Sequence, residues 1–193
     1  SIDDLGGLLK GSPGTQISMK IKDAFTHQSV QKLITRGEIE ISSVPYYSLI
    51  GEGNNIAYVR LTQFTQGCAR QVRDAFDSLK NAQPAIKGLV LDLRNNPGGL
   101  LEEAVALCNS FIDKGQLVVS TKGKIASNDR EYKTTGIVWN KELPLTVLVN
   151  HSSASASEIV SGTIQDLDRG VIIGERSYGK GLVQVTKPLG FNA

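Results

Sequence analysis

The sequence contains few of the residues on which several classes of site depend. Its 193 residues include two histidines, His27 and His151, and two cysteines, Cys68 and Cys108. Two histidines leave few candidates for a catalytic triad that uses histidine as its base. Two cysteines are too few for the disulfide framework of a small secreted scaffold. These shortages narrow the choice of nucleophile and base that a catalytic site here could use.

A strong net charge and long apolar runs are also absent. The chain has 21 Lys and Arg residues against 19 Asp and Glu residues, which gives a net charge of +2 at pH 7. This near balance gives no electrostatic reason to expect nucleic acid or an anionic membrane as a partner. No apolar run comes near the roughly 18 residues that a membrane-spanning helix needs. With 40% hydrophobic residues, however, a chain of this length can bury a sizeable core.

Both cysteines fall on apolar faces of predicted helices. Cys68 shares one face with Val72 and Phe76, and Cys108 shares another with Val105. Neither cysteine has a candidate base nearby in the sequence. We therefore predict two buried, free thiols and no cysteine nucleophile.

From residue 37 onward the sequence alternates between strand and helix patterns. Strands are predicted over residues 38–44, 46–50, 56–61, 86–93, 117–121, 143–149, 170–174 and 182–186. Helices are predicted over residues 66–81, 100–112 and 155–167, and a polar surface excursion over residues 122–138. Repeated strand–helix units with short connections predict a layered α/β core.

The first 23 residues have a separate, smaller pattern. Apolar residues at helical spacing predict a helix over residues 2–9, and alternation predicts a strand over residues 16–22. One helix and one strand bury too little surface to form a domain. The segment is therefore either an extension that packs on the core or the end of another domain.

Two stretches near the end of the chain carry groups suited to hydrolytic chemistry. Residues 150–159 read NHSSASASEI and place hydroxyl groups at a predicted helix start, where unpaired N–H groups favour an oxyanion. Residues 179–184 read GKGLVQ and place Lys180 between two glycines, where a buried lysine could act as a base. Both stretches also have structural interpretations, a capping box of Ser155 with Glu158 and a solvated charge in a turn. Chemistry alone does not choose among the serines of the first stretch, which are Ser152, Ser153, Ser155 and Ser157.

Together with a third stretch, these segments resemble the carboxyl-terminal processing proteases, also called tail-specific proteases. The resemblance rests on SASASEI at residues 153–159, GERSYGKGLVQ at residues 174–184 and LDLRNNPGG at residues 91–99. It extends from about residue 39 to residue 189. The resemblance implies the layered α/β fold shared by Clp-type proteases and crotonases. It also implies a serine endopeptidase that cleaves protein or peptide substrates near their C-termini, with no metal or organic cofactor.

Individual roles also follow from the resemblance. It makes Ser155 the nucleophile, Lys180 the general base and Gln184 the residue that orients the lysine. The Ala156 N–H is expected to be one oxyanion donor. The second is expected from the turn at Gly98 or Gly99, and the sequence does not choose between these two glycines.

A lysine base must be neutral, although the ordinary pKa of lysine is about 10.4. Burial lowers that pKa, and the flanking Leu182 and Val183 are candidates to bury Lys180. Gln184 has the same strand parity as Lys180, and a neutral amide can orient an amine without stabilising its charge.

Four other polar residues have weaker claims to a role. His151 is the alternative base for a serine nucleophile, but the sequence shows no carboxylate partner for it. Glu158 is expected to cap the helix and not to act in catalysis. Asp92 and Arg94, at the end of a predicted strand, are expected to be structural or to shape the cleft.

The resemblance also gives the chain a domain organisation. Residues 1–23 resemble the last helix and strand of a PDZ domain, residues 24–36 a linker, and residues 37–193 a protease core that continues further in the family. We therefore expect the 193 residues alone to fold around the core but to cleave poorly. The sheet edge beside residues 182–186 would be uncovered, so a homodimer is plausible.

The family's location and two alternative functions complete these expectations. The resemblance implies an extracytoplasmic protein, in the bacterial periplasm or cell envelope. A non-catalytic binding relative of the same fold and a crotonase-like acyl-CoA enzyme are the alternatives. The serine and lysine of the two hydrolytic stretches favour the protease over both.

Overall fold

The structure, a computed structural model, describes residues 2–38, 41–136, 138–139 and 141–184. The chain divides into two compact units, Ser1–Ile41 and Ser42–Ala193. No helix within the described ranges is long and apolar enough to cross a membrane.

The first unit is a helix followed by a hairpin. Helix α1 spans Ile2–Leu9, strand β1 spans Gln16–Lys22 and strand β2 spans Ser29–Thr35. The two strands pair antiparallel along their full length, from Gln16 opposite Thr35 to Lys22 opposite Ser29. The predicted helix and first strand are therefore confirmed. Residues 24–36, predicted to be a linker, contain strand β2 instead. Apolar residues do not alternate regularly in β2, so its sequence does not indicate a strand, and the strand forms by pairing with β1.

The second unit contains a five-stranded mixed sheet in the order β3–β4–β5–β8–β9. These strands span Tyr46–Ile50, Ile56–Arg60, Gly88–Asp92, Leu145–Val149 and Val171–Gly174. Strand β3 pairs antiparallel with β4, and the other three pairings are parallel. The chain therefore passes through a helix-containing connection between each pair of parallel neighbours, as the alternating pattern predicts.

Three helices supply the apolar faces that pack with this sheet. Helix α2 spans Cys68–Ala82, α3 spans Leu101–Cys108 and α4 spans Ala156–Asp166. The buried side chains of α2 recur every three or four residues, as in an amphipathic helix. On the sheet, Val59, Leu91 and Val147 from neighbouring strands are fully buried. The mixed α/β core predicted from the sequence is confirmed.

Both cysteines lie in this core. Cys68 and Cys108 are free thiols with no exposed surface. Burial raises the pKa of each thiol to about 12, so neither is a thiolate near neutral pH. The prediction of two buried, free thiols is confirmed.

Three segments differ from the sequence predictions. Residues 41–44 of the strand predicted over 38–44 are not a strand, and residues 39–40 lie outside the described residues. The polar excursion over residues 122–138 contains strand β7, Arg130–Lys133, which pairs with β6, Leu117–Thr121. Residues 182–184 are also irregular, and residues 185–186 of that predicted strand lie outside the described residues. Short polar segments like these take their conformation from a partner strand, which local patterning does not reveal.

Candidate active site

The candidate site is built from two loops that follow neighbouring parallel strands. Strand β5 ends at Asp92 and β8 ends at Val149, and the two strands are hydrogen-bonded. Their carboxyl ends therefore lie side by side, the usual place for a site in an open α/β sheet. The loops are joined directly, because Ala154 N–H donates to Asn96 O at 3.0 Å.

A cavity of about 510 Å³ opens at this edge. It is lined by every residue that the sequence singles out for the site, namely Gly98, Gly99, Ser155, Ala156, Lys180 and Gln184. Apolar side chains from three segments complete its wall, including Leu101, Ile159 and Leu182. The loops thus bring together residues that are up to 86 positions apart, from Gly98 to Gln184.

Ser155 has an unusual backbone conformation at the start of helix α4. It is the N-cap residue, with φ 56° and ψ −114°. Positive φ is uncommon for a residue with a side chain and costs about 1–3 kcal/mol. Glu158 Oε2 accepts the Ser155 N–H at 2.8 Å, so the predicted reach of Glu158 back to the N-cap is present. Ser155 is half-buried and lines the cavity.

The neighbouring serines have other environments. The hydroxyl of Ser153 donates to Leu93 O at 2.8 Å, and that of Ser157 donates to Asn96 O at 3.0 Å. Both serines have no exposed surface. Ser152 lines a neighbouring cavity, which Pro97 and Lys180 also line. Of the four serines that the sequence leaves open, Ser155 is the one in the cavity that Lys180, Gln184 and the glycine turn line together.

The turn after β5 brings two glycines against residues 154–156 and residue 64. Phe64 N–H donates to Gly98 O at 3.0 Å, and Leu100 N–H donates to Phe64 O at 2.8 Å. Gly98 has φ 97°, and a Cβ there would lie 2.6 Å from Ala154 O and 2.8 Å from Ala156 N. A side chain at this position is excluded both by the backbone angle and by the close approach of residues 154–156.

The N–H groups around Ser155 differ in whether they are engaged. Gly98 N–H donates to Asn96 Oδ1 at 2.9 Å. The described residues contain no hydrogen bond from Gly99 N–H or from Ala156 N–H. The latter is the first N–H of helix α4 and has no intrahelical acceptor. Two unengaged donors therefore belong to residues that line the cavity with Ser155.

The segment that carries Lys180 is more exposed than the sequence predicts. Lys180 and Gln184 are exposed, and the flanking Leu182 and Val183 are 76% and 53% exposed. The burial of Lys180 by these two apolar residues is therefore not present. Lys180 and Gln184 do line the same cavity, although residues 180–184 are irregular and strand parity does not relate their side chains.

Glu158 joins the two segments of the site. Besides Ser155 N–H, its carboxylate accepts Ser177 Oγ–H at 2.8 Å, Gly179 N–H at 2.6 Å and Lys180 N–H at 2.9 Å. Burial acts to raise the pKa of this carboxyl, but the four hydrogen bonds outweigh it and the net pKa lies below the usual value. The capping box in the sequence identifies Glu158 as a helix cap. Its three hydrogen bonds to residues 177–180 could not be predicted, because no pattern in the sequence indicates them.

His151 has a carboxylate partner that the sequence does not reveal. Its Nδ1 lies 2.9 Å from Glu175 Oε2, and contacts with His151 lower the pKa of Glu175. Both side chains are exposed, and His151 lines the neighbouring cavity with Ser152, Tyr178 and Lys180. The expectation that His151 lacks a carboxylate partner is therefore wrong. The sequence did not reveal this partner because Glu175 lies 24 positions away.

Asp92 and Arg94 form a tight pair beside the turn. Arg94 donates from Nε and Nη2 to the two oxygens of Asp92 at 2.9 and 2.7 Å, and Tyr58 O–H donates to Asp92 Oδ2. Asp92 is only 2% exposed. Burial acts to raise its pKa, but the bonds from Arg94 and Tyr58 outweigh burial and the net pKa is lowered. The pair stays charged and anchors the start of the loop after β5, and neither residue lines the cavity.

Comparison with known sequences agrees with this arrangement. The profile of peptidase family S41 matches residues 55–193. The chain is 39% identical over 186 residues to the "Carboxy-terminal-processing protease" of Bartonella bacilliformis, covering 95% of this chain and 42% of that protein. It is 35% identical over 188 residues to the "Probable CtpA-like serine protease" of Staphylococcus haemolyticus, covering 96% and 36%. The chain thus spans less than half the length of these two relatives.

A solved structure matches as well. The photosystem II D1 C-terminal processing protease superposes with a TM-score of 0.63 at 31% sequence identity. The match covers 96% of this chain and 50% of that protein. The mixed α/β arrangement and the order of its elements are therefore shared with a C-terminal processing protease.

Proposed function

Because this chain belongs to peptidase family S41, we propose that it carries the active site of a serine endopeptidase that cleaves protein substrates near their C-termini. In this proposal Ser155 is the nucleophile and Lys180 the general base. Gln184 orients the lysine, and the Ala156 and Gly99 N–H groups bind the oxyanion.

The chemistry proceeds in two steps that need no other reactant than water. Neutral Lys180 takes the proton of the Ser155 hydroxyl as the oxygen attacks the scissile carbonyl carbon. The resulting oxyanion accepts hydrogen bonds from Ala156 N–H and Gly99 N–H. Lys180 then gives its proton to the leaving amine, which frees the C-terminal product and leaves an ester on Ser155. Water, deprotonated by Lys180, hydrolyses that ester and restores the hydroxyl.

One observation carries the proposal above the others: a single cavity is lined by Ser155, Lys180, Gln184 and two unengaged backbone donors. Gly98 is the less suitable second donor, because its N–H is already given to Asn96 Oδ1. Of the two glycines that the sequence leaves open, Gly99 is therefore the one we propose as the second oxyanion donor.

The exposure of Lys180 adds a requirement to the proposal. A lysine can serve as a base only where desolvation disfavours its charged form. A substrate that fills the 510 Å³ cavity would cover Lys180 together with Leu182, and so would desolvate the amine. The base is thus expected to become competent when substrate is bound. A non-catalytic binding relative is the second candidate, and the same exposure favours it.

Replacement of Ser155 by Ala tests the proposal. In the protein at its natural length, Ser155→Ala should abolish cleavage of a fluorescence-quenched peptide with an apolar C-terminus. Loss of the cap costs about 0.5–2 kcal/mol, so the melting temperature should fall by no more than a few degrees.

The matched control is Ser152→Ala, in the same loop but outside the cavity. It should keep the wild-type rate. Activity in Ser155→Ala would exclude Ser155 as the nucleophile. Absence of cleavage in the wild type, with peptide binding intact, would favour the binding relative.

A further inference from the structure

Asn96 occupies an unusual position for a polar side chain. It has no exposed surface, and it is one of the largest fully buried side chains of the structure. A buried amide is costly unless its donors and acceptors are paired. The amide nitrogen and the amide oxygen of Asn96 are both hydrogen-bonded, and their two partners belong to different segments of the chain.

The side chain ties the glycine turn to the end of a strand. Asn96 Nδ2 donates to Leu61 O at 2.9 Å, just beyond β4. Asn96 Oδ1 accepts Gly98 N–H, also at 2.9 Å. Gly98 is held on its other side by Phe64 N–H, which donates to Gly98 O, an atom of the peptide unit that also carries Gly99 N–H. The turn is therefore fixed from both sides, and Gly99 is left with its N–H unengaged.

The backbone of Asn96 ties the same turn to the nucleophile segment. Its carbonyl oxygen accepts Ala154 N–H and Ser157 Oγ–H, both at 3.0 Å. These two residues flank Ser155 and Ala156. A shift of Asn96 would therefore move the turn that carries one proposed oxyanion donor relative to the residues that carry the nucleophile and the other donor.

We propose that Asn96 is a positioning residue that sets the distance between the two oxyanion donors, using its side chain to fix the glycine turn and its carbonyl to fix the nucleophile segment. The proposal rests on the function proposed above. Asn96 does not line the cavity, so it acts through Gly98, Ala154 and Ser157 and does not touch the substrate.

Two substitutions separate this role from ordinary support of the fold. Asn96→Leu has a similar size and removes both side-chain hydrogen bonds. Asn96→Ser loses the bond to Leu61 but keeps a hydroxyl that can accept an N–H two residues on, more weakly than an asparagine does. Misplacement of a donor by about 1 Å can cost about 100-fold in rate. We therefore expect kcat to fall about 100-fold in Asn96→Leu and about 10-fold in Asn96→Ser, with KM nearly unchanged.

The matched control is Asn109→Leu. The Asn109 amide also holds loop N–H groups, those of Thr135 at 2.8 Å and Gly136 at 3.3 Å, but it lies outside the cavity. This variant should lower the melting temperature and keep kcat within about threefold of the wild type, since its lost bonds act on stability alone.

A comparison of two binding affinities distinguishes a misplaced oxyanion donor from a general loss of stability. A peptide aldehyde forms a hemiacetal whose oxyanion needs the two donors, whereas the corresponding peptide alcohol has no carbonyl. Asn96→Leu should weaken the binding of the peptide aldehyde much more than the binding of the peptide alcohol. Asn109→Leu should weaken the binding of neither compound.

Two results would overturn the proposal. One is a kcat within about threefold of the wild type in a folded Asn96 variant, and the other is an equal loss of affinity for the peptide aldehyde and the peptide alcohol. If Asn96→Leu does not fold, Asn96→Ser alone decides by the same two measures. Failure of the proposed function would be seen separately, as activity in Ser155→Ala.

Discussion

The segments that carry Ser155 and Lys180 are held by different parts of the molecule. Residues 150–158 are bound to the ends of buried strands and to the turn after β5, through Leu93 O and Asn96 O. Among the described residues, residues 175–184 bond to β8 at Val149 O, and also to Ser153 O, to His151 and to the Glu158 carboxylate. The first segment is supported by the core, and the second is supported by the first.

This difference indicates where the site is rigid and where it can move. Ala156 and Ser157, in the first turn of α4, are essentially unexposed, whereas Tyr178 and Leu182 are 69% and 76% exposed. Segments with few buried contacts are those that open locally and rearrange on binding. The proposed nucleophile and oxyanion donors are therefore held by the core, whereas the segment with the proposed base is exposed.

Removal of the base should give the largest effect of any change in the second segment. Lys180→Ala and Lys180→Arg are both expected to lower kcat by at least about 100-fold, because a general base contributes about 10²–10⁴ in rate. Arginine stays protonated under any burial expected here. The measurement is steady-state cleavage of the quenched peptide.

His151→Gln is the control for this prediction. His151 is the alternative base and is paired with Glu175, but the pair is exposed and of little energetic weight. Its loss should leave kcat within about threefold of the wild type. An active Lys180→Arg enzyme would show that residue 180 contributes positive charge and not proton transfer.

The rigid segment is tested by Gly98→Ala. The added Cβ would lie 2.6 Å from Ala154 O and would also require a residue with a side chain at φ 97°. We expect a loss of about 1–3 kcal/mol in stability from the backbone angle. A shift of about 1 Å between the turn and the nucleophile segment would add about a 100-fold fall in kcat.

Gly67→Ala separates strain from displacement. Gly67 also has a left-handed angle, φ 79°, but a Cβ there meets nothing within 4 Å. This variant should lose stability through the backbone angle alone and keep its kcat. Equal kcat values in the two glycine variants would show that contact between the turn and the nucleophile segment is not critical.

The same contrast explains what the sequence could and could not predict. The strands β4, β5 and β8 and the helix α4 are recoverable because burial on a regular face leaves a period in the sequence. The capping box identifies the start of α4, and hence the position of Ser155. The exposure of Lys180 and the pairing of His151 with Glu175 could not be predicted, because they depend on contacts between residues 19 to 24 positions apart with no periodic signal.

Glu158 is the link between the two segments, so its replacement should loosen the second while leaving the first in place. A carboxylate can accept all four of its donors, from Ser155, Ser177, Gly179 and Lys180. In Glu158→Gln the amide NH₂ would face N–H groups, so about half of these bonds would be lost. We expect kcat to fall about 10-fold, because the base is misplaced while the nucleophile is still held by the core.

Glu103→Gln is the matched control for Glu158→Gln. The Glu103 carboxylate accepts Gly67 N–H at 2.7 Å and Ala69 N–H at 3.1 Å at the start of α2, and it does not line the cavity. Its replacement should lower stability with little change in kcat. A similar fall in kcat for both glutamine variants would mean that Glu158 acts only as a cap.

The pH dependence of stability gives an independent measure of the link. Burial opposes ionisation of Glu158, but its hydrogen bonds prevail and hold the folded-state pKa below the usual value of 4.5. A carboxyl with a lowered pKa stabilises the fold above its unfolded-state pKa, and this stabilisation is lost as the pH falls through the folded-state pKa. The difference in melting temperature between wild type and Glu158→Gln should therefore be largest near neutral pH and should shrink below about pH 4.5. Thermal unfolding from about pH 7 down to about pH 3 measures it. A difference that stays constant across this range would show that the charge of Glu158 does not hold residues 175–184 to the segment that carries Ser155. The backbone bonds to Val149 and Ser153 would then be the links among the described residues that hold it.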